Sequence, residues 1–257
     1  MHKRTVLITG STSGIGKGIA IGFAKLGYNI IFNGLESNGA EIAKEIATEH
    51  GIEYLFSPAN LMNSEEIHDL VKTALDKFAT IDILINNAGI QFVSPIEDFP
   101  EEKWEAILAI NLRAPFLLSK LVWPSMKAQQ FGRIINIASA HGFVASENKS
   151  AYVSSKHGLL GLTKTLALEG SPYNITCNAV CPGYVHTPII DNQIADQMKA
   201  THLSAEEVIS QVMLAKQSIK EFIPIDLIVK AVLFMAEDDA RSITGTTMPI
   251  DGGWTAQ

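Results

Sequence analysis

The 257-residue sequence predicts an α/β fold: one doubly wound parallel sheet with helices on both faces. Two observations predict it. Short apolar runs alternate along the chain with segments of helical periodicity, with no internal repeat, linker or low-complexity stretch between them. The first run, Thr5–Thr9, turns abruptly into Gly10-Ser-Thr-Ser-Gly14-Ile-Gly16 and then into a helical pattern. Strand, glycine turn, helix is the context that a phosphate-binding loop requires.

Composition bounds the function. Hydrophobic residues make up 47% and charged residues 18%, enough apolar material for one large domain with a buried core. The net charge of −7, with no basic cluster beyond His2-Lys3-Arg4, argues against nucleic acid as a partner. No uninterrupted apolar run reaches the ~18 residues of a membrane span. Strand-like residues begin by Thr5 with no cleavage region, so no signal peptide is expected and the chain reads as cytoplasmic. Cys177 and Cys181 are too few for a disulfide scaffold. They lie among apolar residues without partner ligands, so no metal is expected.

In the first helix Ile15, Ile19, Phe23 and Leu26 are spaced for one face, ending at Gly27. Gly10 permits a tight turn, Gly14 lets backbone approach a pyrophosphate, and Gly16 lets helix and strand pack closely. Asn29–Asn33 is the second strand. It leads into Asn33-Gly34-Leu35-Glu36, where no Lys or Arg stands to meet a 2′-phosphate, which favours NAD over NADP. A helix over about 37–50, a strand near 54–56 and the loop Pro58-Ala59-Asn60-Leu61 follow.

Residues 63–78 read as a helix with Asn63 or Ser64 as N-cap and Glu65 and Glu66 in its first turn. A buried-type strand over Ile81–Ile85 leads into Asn86-Asn87-Ala88-Gly89. That stretch suits a sheet edge beside a cofactor or, equally, a turn bonding its own backbone. Helices are expected at about 101–112 and 115–129, with Asn111 disfavoured inside a helix and pointing to a kink or a polar task. A strand over 132–138 ends at Ser139. A helix then runs to about Gly170, and a strand over 174–180 ends in Cys181-Pro182-Gly183. The polar, helically periodic stretch at about 184–223 is a natural lid over a crevice at the sheet's carboxyl edge. A last helix near 224–236, a strand over 245–250 and the tail Asp251–Gln257 complete the chain.

Chemistry concentrates between Ser139 and Lys156. Tyr152 and Lys156 are four residues apart and share one helix face. A phenol with a reference pKa near 10 is a poor base at neutral pH, and a neighbouring cation stabilises its phenolate. A hydroxyl at Ser139 is suited to hold a carbonyl or alcohol against that phenol.

Thr9-Gly10-x-x-x-Gly14-Ile15-Gly16, Asn86-Asn87-Ala88-Gly89, Asn111, Ser139, Tyr152-x-x-x-Lys156 and Pro182-Gly183 stand in the order and spacing of the short-chain dehydrogenases/reductases. The chain resembles that family over essentially its whole length. The resemblance implies a single Rossmann-type catalytic domain over 1–257 with a helical substrate lid, binding NAD and assembling as a homotetramer on the Tyr152 helix and its neighbour. It implies Tyr152 as acid/base, Ser139 orienting the substrate oxygen, and Lys156 lowering the tyrosine pKa and gripping a ribose. Asn111 would support a water-linked proton relay to that lysine. The implied cofactor contacts are Gly10, Thr12, Ser13, Gly14, Ile15, Gly16, Leu35, Asn60, Leu61, Asn87, Ala88, Gly89, Tyr152, Lys156, Pro182, Gly183 and Val185. Asn60 stands where the family commonly has Asp, and its carbonyl can still accept from an adenine amino group.

Further motifs are similar to one subgroup, the bacterial D-3-hydroxybutyrate dehydrogenases: Ala88-Gly89-Ile90-Gln91, Ser139-Ala140-His141-Gly142, Lys149, Gln193 and Asp251-Gly-Gly-Trp254-Thr-Ala-Gln257. That resemblance implies a small 3-hydroxy/3-oxo acid held by Ser139 and Tyr152 at its oxygen and by Gln91, His141, Lys149 and Gln193 at its carboxylate. Trp254 would help close the pocket, and Tyr184, often Trp in the subgroup, would alter its size or polarity. Lys149 supplies the cation and the others donors that a carboxylate requires. Alternatives stay open at this point: another carbonyl substrate such as a 3-oxoacyl thioester or a sugar, or a dinucleotide-binding protein without turnover. His141 as a strand-end cap, Lys149 as a solvated loop charge, Gln193 as an unaimed lid residue and Trp254 as a subunit contact are the plainer readings of those residues. The other histidines read as surface or structural.

Overall fold

The computed structural model describes residues 3–187, 190, 194, 198 and 203–256. Seven strands, β1 (Thr5–Ile8), β2 (Asn29–Asn33), β3 (Tyr54–Ser57), β4 (Ile83–Asn86), β5 (Gly132–Ile137), β6 (Ile175–Pro182) and β7 (Thr247–Ile250), form one sheet. The order is β3-β2-β1-β4-β5-β6-β7, and every pairing is parallel. β1, β2, β4, β5 and β6 are buried at every residue because helices cover both faces, which is why they read as nearly continuous apolar runs.

Alternate side chains feed two cores. Val6 and Ile8 face α1 (Gly14–Lys25), α2 (Gly39–His50) and α7 (Ile225–Ala236). Leu7, between them, faces α3 (Ser64–Phe78) and α5 (Ala114–Gln129) on the opposite side. Strand order runs outward from β1 in one direction and from β4 in the other. The carboxyl ends of β1 and β4 therefore flank a crevice where an open α/β sheet binds its ligands.

Local signals hold with two corrections. Asn63 caps α3 as expected, its side chain accepting from the Glu65 amide at 2.9 Å. Leu26, by contrast, is 60% exposed. It lies beyond the last helical residue, Lys25, where Gly27 takes φ 79° and turns the chain, so it does not extend the apolar face of Ile19 and Phe23. The two helices expected at 101–112 and 115–129 are one 29-residue helix, α4 (Glu101–Leu108) running into α5 through a π turn at Ala109–Arg113. Asn111 sits in that turn and aims its amide away from the helix, so the backbone widens rather than breaks.

The same helix passes a membrane-length test without containing an uninterrupted 18-residue apolar run. Over an 18-residue window this helix has a mean hydropathy of 1.4, long and apolar enough to cross a bilayer by composition. Here Ala114, Leu118, Val122 and Met126 pack beneath the sheet.

Beyond β6, Tyr184, Ile190, Leu203, Val208, Met213 and Phe222 gather into a separate small apolar cluster. Buried Gln217 ties it down, accepting from the Tyr184 amide at 2.9 Å and donating to the Glu221 carbonyl at 2.9 Å. Gln193 lies outside the described residues. Cys177 and Cys181 are buried and unpaired on β6, and burial pushes the Cys181 thiol up to about 12. Among the described residues no cluster of His, Cys, Asp and Glu could hold a metal. His68 and His157 bond the carbonyl one turn back in their own helices, and His186 stacks on Phe222.

Candidate active site

A cavity of about 630 Å³ opens at the carboxyl ends of β1, β4, β5 and β6. One wall is the loop from β1 to α1. Gly10 and Gly14 take φ of 60° and 51°, conformations that L side chains rarely adopt. The first-turn amides of α1 have no helical partner, so the loop and helix end form a donor-rich cradle for phosphate. Gly16 stands behind that cradle, where a Cβ would come 2.1 Å from the Gly10 carbonyl oxygen and 2.5 Å from Asn87 Nδ2. Gly16→Ala is therefore expected to destabilise the protein by about 1–3 kcal/mol through backbone displacement, read by denaturant unfolding.

The loop after β4 is bonded to this wall. Thr9 Oγ1 accepts from the Asn87 and Ala88 amides, both at 3.0 Å, and Asn87 Nδ2 donates to the Thr9 carbonyl at 2.8 Å. Asn87 thus joins two strand ends and does not merely bond its own turn.

The end of β2 departs from the sequence reading. Asn33 is buried, donating to the Ser57 and Ala59 carbonyls at 3.2 and 3.0 Å, so it braces neighbouring loops. The acid at this corner is Glu36, which accepts from the hydroxyl of Thr12 and, at 2.9 Å, from that of Ser13. Partial burial opposes its ionisation, but those hydroxyls and nearby backbone amides hold the carboxyl below its usual value. Thr12 and Gly16 do not line the cavity; they support residues that do. Asn60 lines it, but its Oδ1 already accepts from the Met62 amide at 3.0 Å, leaving one lone pair for an adenine.

The reacting corner forms where β5 ends against α6 (Ser150–Gly170). Tyr152 hydrogen-bonds Ser139, which stands two residues beyond the end of β5. Lys156 is 3% exposed, donates to the Ile137 carbonyl at 2.9 Å, and lies 5.6 Å from the Tyr152 ring centre. Burial lowers the Lys156 ammonium to about 8. The Tyr152 phenol is raised, not lowered as expected, because burial outweighs the Ser139 hydrogen bond. Asn111 accepts from the Ile90 amide and donates to its carbonyl, both at 2.9 Å, and donates to Ser155 at 3.2 Å. Its side chain locks the β4 loop to α6 and does not line the cavity.

Opposite the cradle stands a cationic, aromatic end. Trp254, 5% exposed, stacks on Tyr184 at 5.6 Å and meets His141 edge-on at 4.9 Å. Asp251 folds the tail into place by accepting from Gly253 and Thr255. Lys149 lies 5.7 Å from the Tyr184 ring and lines the cavity; burial and then the Lys216 charge lower it to about 8. His141 is pushed down to about 3 by burial first and then by Lys149 and Lys216, so it is neutral at ordinary pH. Burial pushes Tyr184 up to about 12. The amide nitrogen of Gln91 is shielded from solvent with no hydrogen-bond partner among the described residues. Leu35, Leu61, Ala88, Gly89, Pro182, Gly183 and Val185 complete the expected wall, while Ile90, Ile110, Thr187 and Ile190 join it unpredicted.

Comparisons with known proteins agree with this geometry. The short chain dehydrogenase family profile matches residues 4–198. D-beta-hydroxybutyrate dehydrogenase from Rhizobium meliloti (strain 1021) is 48% identical over 99% of both chains. The enzyme of that name from Cupriavidus necator is 43% identical over 100% of both. A solved structure of an actinorhodin polyketide ketoreductase variant with NADPH superposes with a TM-score of 0.93 at 29% identity, covering 99% of this chain and 98% of that one. The chain belongs to the short-chain dehydrogenase family of oxidoreductases.

Proposed function

We propose that this protein is an NAD-dependent dehydrogenase interconverting (R)-3-hydroxybutyrate and acetoacetate. One observation carries the reading: a single cavity has a hydroxyl-handling corner, Ser139 and Tyr152, and a carboxylate-seeking end. There Lys149 supplies charge and the orphan Gln91 amide supplies a buried donor. An unpaired buried donor costs about 1–3 kcal/mol, which an incoming carboxylate oxygen relieves.

The glycine cradle, the free amides of α1 and the crevice at the β1/β4 switch fit a dinucleotide. Gly10, Ser13, Gly14 and Ile15 would hold its phosphates, with Asn60, Leu61, Asn87–Gly89, Pro182, Gly183 and Val185 around the rest. When bound it supplies the hydride acceptor and, oxidised, a positive charge beside the phenol. In oxidation Tyr152 Oη takes the substrate hydroxyl proton while Ser139 fixes that oxygen. Lys156 contributes a buried charge that favours the phenolate once the phenol's desolvation cost is offset. Both hydrogens of the Asn111 amide are engaged, by the Ile90 carbonyl and the Ser155 hydroxyl, so this side chain has no hydrogen left to pass to a relay toward Lys156.

Glu36 supports NAD over NADP, because an ionised carboxylate at the end of β2 repels a 2′-phosphate. Glu36→Gln is expected to lower the NAD-to-NADP ratio of kcat/KM by about tenfold, or roughly 1.4 kcal/mol, in paired assays. Exposed Phe116 on α5 and Leu168 on α6 fit assembly as a tetramer on these helices. Light scattering is expected to give four times the 27.9 kDa chain mass.

The substrate reading is tested by NADH formation. D-3-Hydroxybutyrate with NAD is expected to turn over, with the L enantiomer and 3-hydroxyacyl thioesters at least ~10²-fold poorer in kcat/KM. Faster turnover of a thioester would replace this reading with an acyl-thioester reductase.

A further inference from the structure

Beyond the expected carboxylate grip, two residues lie behind His141. His141 Nε2 is 3.0 Å from Ser146 Oγ, on the loop that follows the 3-10 turn Ala140–Gly142. Lys216, at the end of the 3-10 turn Leu214–Lys216, donates to the same Ser146 oxygen at 3.3 Å and lies 5.9 Å from the Trp254 ring. Two segments, the loop carrying His141 and Ser146 and the distant turn carrying Lys216, thus meet on one hydroxyl. None of the known roles of Ser139, Tyr152 or Lys156 requires that meeting.

The donor inventory gives it a direction. An ammonium has only hydrogens to offer, so it occupies a lone pair of Ser146 Oγ. With its oxygen turned toward the cation, the hydroxyl keeps its hydrogen away from the ammonium and available to the imidazole nitrogen 3.0 Å away. A neutral imidazole carries one proton, and the nitrogen that accepts cannot carry it. We infer that Ser146, steered by Lys216, is a positioning residue that fixes His141 as the Nδ1–H tautomer, presenting one hydrogen-bond donor to the substrate carboxylate. This rests on the 3-hydroxybutyrate reading. The opposite tautomer would turn an acceptor lone pair toward an anion and repel it. Burial between Lys149 and Lys216 keeps the ring neutral, so its tautomer and not its charge decides the contact.

The test is a long-range proton–nitrogen NMR correlation on the full protein labelled with ¹⁵N-histidine, with His141 assigned by loss of its signals in His141→Gln. The wild type is expected to show a protonated Nδ1 and a bare Nε2. Ser146→Ala is expected to mix the tautomers, weaken acetoacetate binding to the NADH complex about tenfold and raise KM more than it lowers kcat. Ser146→Thr, which keeps the hydroxyl, restores both. Lys216→Met shifts the tautomers in the same direction by less. A wild type protonated at Nε2, or a Ser146→Ala variant with unchanged tautomer and affinity, overturns the inference. Failure of the substrate reading looks different: acetoacetate does not bind the wild type, while the tautomer still responds to Ser146.

Discussion

Replacing Tyr152 with Phe is expected to lower kcat for D-3-hydroxybutyrate oxidation by roughly 10²–10⁴-fold, the range for losing a positioned acid/base. The substitution removes one oxygen. The ring keeps its edge contact with His141 at 5.8 Å and its place beside Lys156, so folding and the cavity wall are preserved. Only the proton acceptor and the partner of Ser139 disappear. Lys156 is committed to the Ile137 carbonyl and carries a positive charge in its working form. Stopped-flow hydride transfer, with NADH affinity and unfolding midpoint as controls, reads the effect. A Tyr152→Phe enzyme within tenfold of wild-type turnover would remove the phenol from the mechanism.

The second large effect lies at the other end of the cavity. Lys149→Met is expected to lower kcat/KM for D-3-hydroxybutyrate by about 10²-fold, mostly through KM, since a charge-assisted contact contributes about 1.5–3 kcal/mol. The pH dependence follows from its lowered pKa. An ammonium is charged below its pKa, and burial has brought this one from 10.5 to about 8. Acetoacetate affinity in the wild type should therefore be full below pH 8 and fall as pH rises through that value. The bound carboxylate favours the ammonium and moves the midpoint upward in the complex. In Lys149→Met the fall over that range should vanish. Isothermal titration of acetoacetate into the NADH complex at several pH values distinguishes the two profiles.

The sheet was legible because five of its strands are buried on both sides, and such strands must be written as contiguous apolar residues. Asn111 was legible as an anomaly: a helix-disfavoured residue amid good helix formers, which proved to sit in the π turn. The cradle glycines were legible through their spacing, though Thr12 and Gly16 turned out to support the wall from behind. Glu36 was passed over because its role exists only through the Thr12 and Ser13 hydroxyls, contributed by a different loop. Ser146 and Lys216 were invisible for the same reason, since their shared hydrogen bond joins residues 70 positions apart. Lys149 and Trp254 kept the plainer readings of solvated charge and subunit contact open, because only the folded tail brings both to one pocket. The burial that raises Tyr152 was not legible, because Tyr-x-x-x-Lys reveals a neighbouring cation but not the desolvation that opposes it.

The central claim is that one cavity grips both the reacting hydroxyl and a free carboxylate. It is tested most directly by comparing kcat/KM for D-3-hydroxybutyrate with that for its methyl ester under NAD, in an enzyme otherwise untouched. The ester keeps the alcohol, the chain and the stereocentre and removes only the charge. The account predicts that the ester is worse by about 10²-fold or more, with the loss in KM. Equal efficiency for acid and ester would contradict it.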